Sequence, residues 1–202
     1  MTLIRRVHHA GIHSRRVHVL AGHLRQLIPA GASVLDVGSG DGLLASLVKA
    51  QRPDLVWNAV DTVERPRTHI PVKLFDGKRL PFEDKQVDVV LLIDVLHHTD
   101  DPMSMLHEAV RVARTELVVK DHLRQGLAAH SVLSFMDWVG NGSWGVSLPY
   151  RYWSAEQWRS AREQLQLRAE EERVVLGLYP WWADWLFGRS LHFIARLGVP
   201  KG

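Results

Sequence analysis

Aspartates stand at the ends of four successive apolar segments of this sequence, at Asp36, Asp61, Asp76 and Asp94. Between the first two lies a glycine turn, GSGDG at residues 38–42. Glycines without side chains let a ligand lie directly against the backbone. Carboxylates accept hydrogen bonds from hydroxyl and amine groups. The pattern predicts a ligand with hydroxyl and cationic groups, bound at the tips of several strands.

Other ligands of glycine turns are disfavoured by the residues around this one. No Lys-Ser or Lys-Thr pair follows it, so the phosphate-cradling loop of nucleotide triphosphatases is absent. The dinucleotide fingerprint needs a small residue where Leu43 stands. Asp41 would lie beside a bound pyrophosphate, and Asp36 precedes the turn, so two carboxylates would repel the phosphates.

Two of the aspartates have a more specific predicted role. Asp61 follows the glycine turn by about the 20 residues typical of an acid that binds a ribose, and one carboxylate can accept both vicinal hydroxyls. Asp76 could accept from an exocyclic amine such as adenine N6. The alternative for each is that aspartate simply favours the start of a loop.

Alternating strands and helices must position these residues. Asp101 followed by Pro102 indicates a helix N-cap with proline at the first helical position. Such alternation predicts a doubly wound α/β sheet, whose ligands bind beyond the carboxyl ends of the strands. The predicted helices are 14–28, 43–50 and 102–114, and the predicted strands are 34–37, 55–60, 72–75, 87–93 and 116–120.

The last third of the chain is rich in tryptophan. We predict a helix at 123–139, a Gly/Asn/Ser-rich loop at 140–145, and strands at 167–176 and 191–197. Ser154 and Gln157 form a capping-box pattern that predicts a helix carrying Trp158 inward. Three tryptophans at 181, 182 and 185 could flank the pocket or rest on a membrane surface or partner, but the favoured prediction is that they plug the edge of the sheet.

Composition sets limits on the class of protein. The 202 residues contain no cysteine and carry a formal charge of +3. Disulfides and thiolate metal sites are therefore excluded, and a reducing cytoplasm is the expected compartment. No signal peptide or membrane span is predicted. We expect one domain: an N-terminal helical segment (1–30), a cofactor-binding core (31–122), and a substrate lid with closing strands (123–202).

Several segments together resemble the class I S-adenosylmethionine-dependent methyltransferases, in the branch of the methyltransferase type 11 domains. The similarity covers about residues 30–120. Ser39 stands where the family usually has cysteine or threonine. The matching segments are VLDVGSGDG at 34–42, AVD at 59–61, FDGKRLPFEDKQVDVV at 75–90, DVLHHTDDP at 94–102 and EAVRVAR at 108–114.

This resemblance implies a Rossmann-like sheet of seven strands with helices on both faces. The last strand would lie antiparallel beside the fifth. The implied cofactor is S-adenosyl-L-methionine, with S-adenosyl-L-homocysteine as its product; it carries a sulfonium and an amino group but no phosphate. The expected cofactor-binding residues are Asp36, Gly38, Ser39, Gly40, Asp61, Thr62, Asp76, Gly77, Asp94 and Val95.

Two histidines are candidates for a catalytic base. His98 follows the fourth strand, and His122 closes the fifth; imidazole suits proton transfer near pH 7. Alternatively, His98 packs on the cofactor and His122 caps a helix, and an amine, thiolate or carbon acceptor would need no base. No metal site is expected, since the adjacent side chains of His97 and His98 rarely converge and no HExxH motif accompanies them.

The predicted activity is methyl transfer to a small, apolar or aromatic molecule. RNA methylation is one alternative, because arginines and histidines cluster in the first 25 residues, although a charge of +3 does not favour nucleic acid. A non-catalytic, cofactor-binding interaction protein is another. The sequence leaves peripheral membrane contact and oligomeric state open. The expected substrate-binding residues are Lys120, Trp138, Trp144, Tyr150 and Tyr152.

Overall fold

The computed structural model describes residues 13–126, 128–141, 149–188 and 191–200. Within these ranges the chain forms a sheet with helices on both faces. The strands are β1 (Ser33–Val37), β2 (Val56–Asp61), β3 (Lys73–Leu74), β4 (Val87–Ile93), β5 (Ala113–His122), β6 (Arg168–Arg173) and β7 (His192–Gly198). The helices are α1 (Ser14–Leu27), α2 (Leu43–Gln51), α3 (Pro102–Val112), α4 (Ala129–Asn141), α5 (Ala155–Gln164) and α6 (Trp181–Phe187), with a 3₁₀ turn at Leu96–His98.

The seven strands lie in the order β3-β2-β1-β4-β5-β7-β6. Strands β1 to β5 pair in parallel, whereas β7 runs antiparallel between β5 and β6. The strand order reverses between β1 and β4, which is where a doubly wound sheet binds its ligands. The predicted seven-stranded sheet, with its last strand antiparallel beside the fifth, is confirmed.

Two apolar layers cover the sheet, because alternate side chains of each strand point to opposite faces. Leu35, Val90 and Leu92 pack with Leu106 of α3 and Trp158 of α5. Their strand neighbours form the second layer with side chains of α1, α2 and the segment before α6: Val34, Val89 and Leu91 pack with Leu24, Val48 and Leu178. Burial on both faces explains why β4 is apolar along nearly all of its length.

Helix α3 begins as predicted but ends early. The side chain of Asp101 accepts a hydrogen bond from the backbone N–H of Ser104 at 3.1 Å, and Pro102 occupies the first turn. The prediction that the helix continues to Arg114 is wrong. Ala113 is fully buried and pairs with Val87, so β5 begins directly after the helix.

The helix predicted from residue 123 begins instead at Ala129, where α4 starts. The backbone N–H of Leu123 donates to Leu191 O at 2.8 Å, and that of Arg124 donates to Trp153 O at 2.9 Å. The Leu123 bond continues the pairing of β5 with the chain before β7, where His122 already pairs with His192, so the backbone stays extended past residue 122. This stretch ties β5 to the residues before β7 and α5.

The tryptophans behave in two ways. The predicted capping box of α5 is present, and Trp158 is buried against Trp153 and Phe193 with ring centroids 4.8 and 4.9 Å apart. The prediction that the tryptophans of α6 plug the sheet is wrong. Trp181 is 87% exposed and Trp185 is 69% exposed, so this short helix presents indole rings to solvent.

Candidate functional site

The glycine turn connects β1 to α2, with positive φ angles of 70° at Gly38, 61° at Gly40 and 74° at Gly42. A Cβ at Gly38 would lie 2.6 Å from Val95 Cγ2, and one at Gly42 would lie 2.5 Å from Ile70 Cγ1. At Gly40 a Cβ would meet nothing within 4 Å. The outer glycines are therefore needed for packing, and the middle one leaves an open face beside the backbone.

Two carboxylates lie next to this turn. Asp61 accepts from the N–H of Gly40 at 2.7 Å and from that of Val63 at 2.9 Å. Each of its oxygens accepts one of these bonds and keeps a further lone pair. Asp36 is buried, and burial together with the charge of Asp61 raises the pKa of Asp36 to about 7.

The hydroxyl of Ser39 is the turn's unsatisfied group. Ser39 Oγ is buried without a hydrogen-bond partner among the described residues, and a buried polar atom of this kind normally has one. Together with the open face at Gly40 and the spare acceptors of Asp61, it fits a ligand that carries hydroxyl groups. All three residues belong to the predicted cofactor-binding set, and their role there stays a prediction.

Residues at the ends of β2 and β3 are placed side by side. A Cβ at Gly77, whose φ is 76°, would lie 3.1 Å from Thr62 Cγ2. Asp76 is exposed, and its Oδ1 accepts from the N–H groups of Lys78 and Arg79 at 2.8 and 3.0 Å. These backbone bonds lower the pKa of Asp76. Asp76 thus organises its own turn, and an amine contact would use its remaining acceptors.

Asp94 ends β4 in the left-handed region, with φ of 57°, and contacts two cations. It forms ion pairs with Lys120 of β5 and, at 3.3 Å, with Arg16 of α1. Burial alone would raise the pKa of Asp94, but Lys120 and Arg16 lower it below its usual value. Lys120 is completely buried, and burial lowers its pKa against the pull of Asp94. A predicted cofactor residue and a predicted substrate residue are therefore partners of each other.

A histidine cluster, which we define as His97, His98, Asp121, His122 and Asp137, fills the space beyond β4 and β5. His97 Nδ1 lies 2.6 Å from Asp121 Oδ1 and 3.2 Å from His122 Nδ1. On the other side of the ring, His97 Nε2 lies 3.6 Å from Asp137 Oδ2. The rings of His97 and His98 converge, with centroids 4.0 Å apart.

The cluster perturbs the pKa of each imidazole. Burial opposes the charge on His97, but the Asp121 carboxylate raises its pKa. Burial and the neighbouring His97 lower the pKa of His98 to about 4, and the same two causes lower that of His122. His98 and His122 are consequently neutral at pH 7.

Sequence reasoning singled out His98 and His122 but missed the partners that hold the cluster together. The sequence disfavours the His97–His98 pair as a metal site because adjacent side chains rarely converge, yet a 3₁₀ turn brings the two rings together. Asp121 could have been noticed between Lys120 and His122. Asp137 offered a signal too, because it is an acid in the otherwise apolar stretch Phe-Met-Asp-Trp.

Only some of the aromatic residues predicted to bind substrate lie near the histidine cluster. Tyr152 is buried; its hydroxyl donates to Asp137, and its ring lies 5.4 Å from that of His122. Tyr150 is half-buried in a small apolar group with Leu133. Trp138 is 49% exposed, and Trp144 lies outside the described residues.

The sequence comparisons point to methyltransferases. Residues 35–116 match the family model described as a methyltransferase domain. A protein of Mycobacterium sp. (strain KMS), described as an uncharacterized methyltransferase, is 33% identical over 117 residues, which cover 55% of this chain and 42% of that protein. A 37.1 kDa protein in a Streptomyces fradiae transposon is 37% identical over 95 residues, which cover 42% and 28%. The chain thus spans less than half the length of these curated relatives.

Solved structures share the fold over nearly the whole chain. A chain of the complex between the Haloferax volcanii Trm112 methyltransferase activator and a candidate methyltransferase has a TM-score of 0.69 at 16% identity, covering 100% of this chain and 99% of its own. An S-adenosylmethionine-dependent methyltransferase from Aquifex aeolicus has a TM-score of 0.59 at 17% identity, covering 89% and 88%. At 16% and 17% identity, the similarity to these structures establishes the fold alone. Separately, none of the helices in the described residues is long and apolar enough to cross a membrane.

Proposed function

We propose that this chain, whose residues 35–116 match a methyltransferase domain, transfers a methyl group from S-adenosylmethionine to a small acceptor molecule. The observation that carries the proposal is the glycine turn with its unsatisfied Ser39 hydroxyl, its open face at Gly40 and the spare acceptors of Asp61. These groups fit an adenosyl ligand without phosphate. They lie at the point where the strand order reverses.

The cofactor, when bound, supplies a methyl group already activated by a positive sulfonium. The chain's own residues then bind and orient. We assign the ribose hydroxyls to Asp61, the wall beside Gly38 to Val95, and the adenine amine to Asp76. Asp36, buried behind the turn, adds negative charge near a cationic ligand when it ionises.

The acceptor would approach the histidine cluster. Of its three histidines, His97 and His122 are buried, whereas His98 keeps partial exposure, and we therefore place His98 nearest the acceptor. Holding two reactants in line contributes about 7–11 kcal/mol to such a transfer. A base at His98 or His122 would add about 10²–10⁴-fold for a hydroxyl acceptor. Tyr152 and Tyr150 are the proposed aromatic side of this pocket, and half-exposed Trp138 would be at its rim.

The direct test uses cofactor with a labelled methyl group and a set of small apolar and aromatic metabolites. We expect labelled product and S-adenosylhomocysteine to form in equal amounts. His98→Ala and His122→Ala variants that bind cofactor normally but lose transfer would identify the base. Full activity in both variants would remove the base from the proposal.

Asp61→Ala provides the corresponding test of the cofactor site. Losing two hydrogen bonds to a charged group should weaken cofactor binding by about 1–3 kcal/mol, measured by calorimetry. Glu64→Ala is a matched control, because Glu64 is an exposed acid in the same loop. Equal affinity in Asp61→Ala and the unmodified protein would exclude Asp61 from the ribose site.

Two outcomes would favour the alternatives. Cofactor binding without any methylated product would favour an interaction protein that uses the cofactor as a ligand. Transfer to RNA that falls steeply with added salt would favour a nucleic-acid substrate, because phosphate contacts release counterions.

A further inference from the structure

We propose that His97, His98 and Asp137 form a binding site for a divalent transition-metal ion of the Zn²⁺ type. The three side chains offer one ligand atom each, and these atoms lie within 4.8 Å of one another. Two imidazoles and one carboxylate are a donor set used by catalytic zinc sites. The proposal concerns binding, and it holds whether or not the chain transfers methyl groups; with the ion bound, His98 is a ligand and His122 is the remaining candidate base.

The geometry around His97 carries the inference. Its Nδ1 is 2.6 Å from Asp121 Oδ1, so the Nδ1 hydrogen is donated to that carboxylate. In the neutral ring this bond fixes the tautomer that leaves the lone pair on Nε2, and Zn²⁺ binding would displace a proton from that atom. An acid behind a histidine ligand is the arrangement that orients metal-bound imidazoles in proteins.

The other ring nitrogen is left without a partner. His97 is only 3% exposed, and its Nε2 has no hydrogen bond among the described residues. Asp137 Oδ2 lies 3.6 Å away, too far for a hydrogen bond. Two ligands of a tetrahedral ion with bonds of about 2.0–2.1 Å would lie about 3.4 Å apart. A single ion between Nε2 and Oδ2 would give Nε2 a partner, and Oδ2 can bind it while it also accepts from the Tyr152 hydroxyl.

The remaining contacts support this position over a neighbouring one. Tyr152 donates its hydroxyl to Asp137 and so holds the carboxylate in place. Asp94, His97 and His122 also come together, but Asp94 is already paired with Lys120 and Arg16. The Nδ1 of His97 is occupied by Asp121, so an ion held through Nε2 is the arrangement that uses a free atom.

Zinc binding to the metal-free full chain, without cofactor, is the test. After treatment with a chelator, calorimetry should show one Zn²⁺ per chain with a dissociation constant in the micromolar range or tighter. Co²⁺ should bind the same site and give the visible absorption of a low-coordinate ion. Mg²⁺ should not compete, because it prefers oxygen ligands in an octahedron.

Variants locate the site. Asp137→Asn keeps the shape of the side chain and should lower Zn²⁺ affinity by about 100-fold, and Asp121→Asn, which leaves all three ligands, should lower it by about 10–100-fold. His107→Ala removes an exposed histidine of α3 and should leave affinity unchanged. If His97→Ala does not fold, the two asparagine variants still decide.

Three results would overturn the proposal: no Zn²⁺ binding by the unmodified chain, equal binding by both asparagine variants, or loss of binding in His107→Ala alone. The first would mean that His97 Nε2 keeps a proton and offers no lone pair to an ion. A chain that binds Zn²⁺ but transfers no methyl group would contradict the proposed function and leave the metal site standing.

Discussion

At the scale of single residues, the ammonium of Lys120 is fully buried, and a buried charge is costly unless it is paired. Its carboxylate partner Asp94 is itself only 23% exposed. Removing one member of a buried ion pair leaves the other charge uncompensated. Arg16, at 3.3 Å, can compensate only part of the charge of Asp94.

Lys120→Met should therefore lower the free energy of unfolding by about 3–5 kcal/mol, as measured by urea denaturation. Lys78→Met is the control, since Lys78 is exposed in a turn, and it should change stability by about 0.5 kcal/mol or less. Equal, small effects in the two variants would show that the buried pair contributes nothing net to folding.

Asp36 makes stability depend on pH. Its pKa rises from 3.8 in the unfolded chain to about 7 in the fold, so between these values the folded state holds a proton that the unfolded state has lost. Stability must then fall as pH rises through this window. Asp36→Asn should remove that loss, giving a variant more stable than the parent at pH 8 by up to about 4 kcal/mol, but not at pH 4.

Urea denaturation at both pH values checks this prediction. Asp54→Asn would serve poorly as a control because Asp54 bonds Arg52, so the control is Asp100→Asn, at an exposed aspartate. A parent and an Asp36→Asn variant with the same pH dependence would contradict a raised pKa at this position.

At the scale of elements, the tryptophans of α5 and α6 differ in what holds them. Trp158 is buried, and its Nε1 donates to the backbone oxygen of His122 at 3.2 Å, so α5 is bound to the end of β5. Trp181 is 87% exposed. Trp158→Ala should lower the free energy of unfolding by about 3–5 kcal/mol, and Trp181→Ala should change it by about 0.5 kcal/mol or less.

Thermal or urea unfolding of the two variants gives the comparison, with the same chemical change at both sites. A large loss in Trp181→Ala would mean that the indole rings of α6 are covered in solution. Comparable small losses in both would mean that α5 does not depend on its tryptophan.

The elements with periodic apolar patterns and local caps were predictable from sequence. β4, the N-cap of α3 and the capping box of α5 are confirmed, because each depends on residues within a few positions. The start of α4 was not predictable, since the backbone of Leu123 and Arg124 bonds to Leu191 and Trp153, far along the chain.

The site was also only partly predictable. The acidic strand ends were visible in the sequence, but the pairing of Asp94 with Lys120 and the convergence of His97 with Asp137 depend on the tertiary fold.

At the scale of the whole molecule, the two apolar layers share the central strands β1, β4 and β5. The glycine turn, Asp61 and the histidine cluster all extend from the ends of this sheet. Because these strands bury side chains in both layers, we expect them to unfold together. A ligand that bridges their ends should then stabilise the entire fold and not only the loops that it touches.

S-adenosylhomocysteine at 100 times its dissociation constant should therefore add about 2.7 kcal/mol to the free energy of unfolding, which for a chain of this size corresponds to a rise in melting temperature of about 5–10 °C. NAD⁺ at the same concentration should give no rise, because Asp36 and Asp41 disfavour a pyrophosphate beside the turn. Asp61→Ala should reduce the rise produced by S-adenosylhomocysteine. Stabilisation by NAD⁺ alone would contradict the assignment of the glycine turn. It would mean that a negatively charged pyrophosphate can lie beside the carboxylates of that turn.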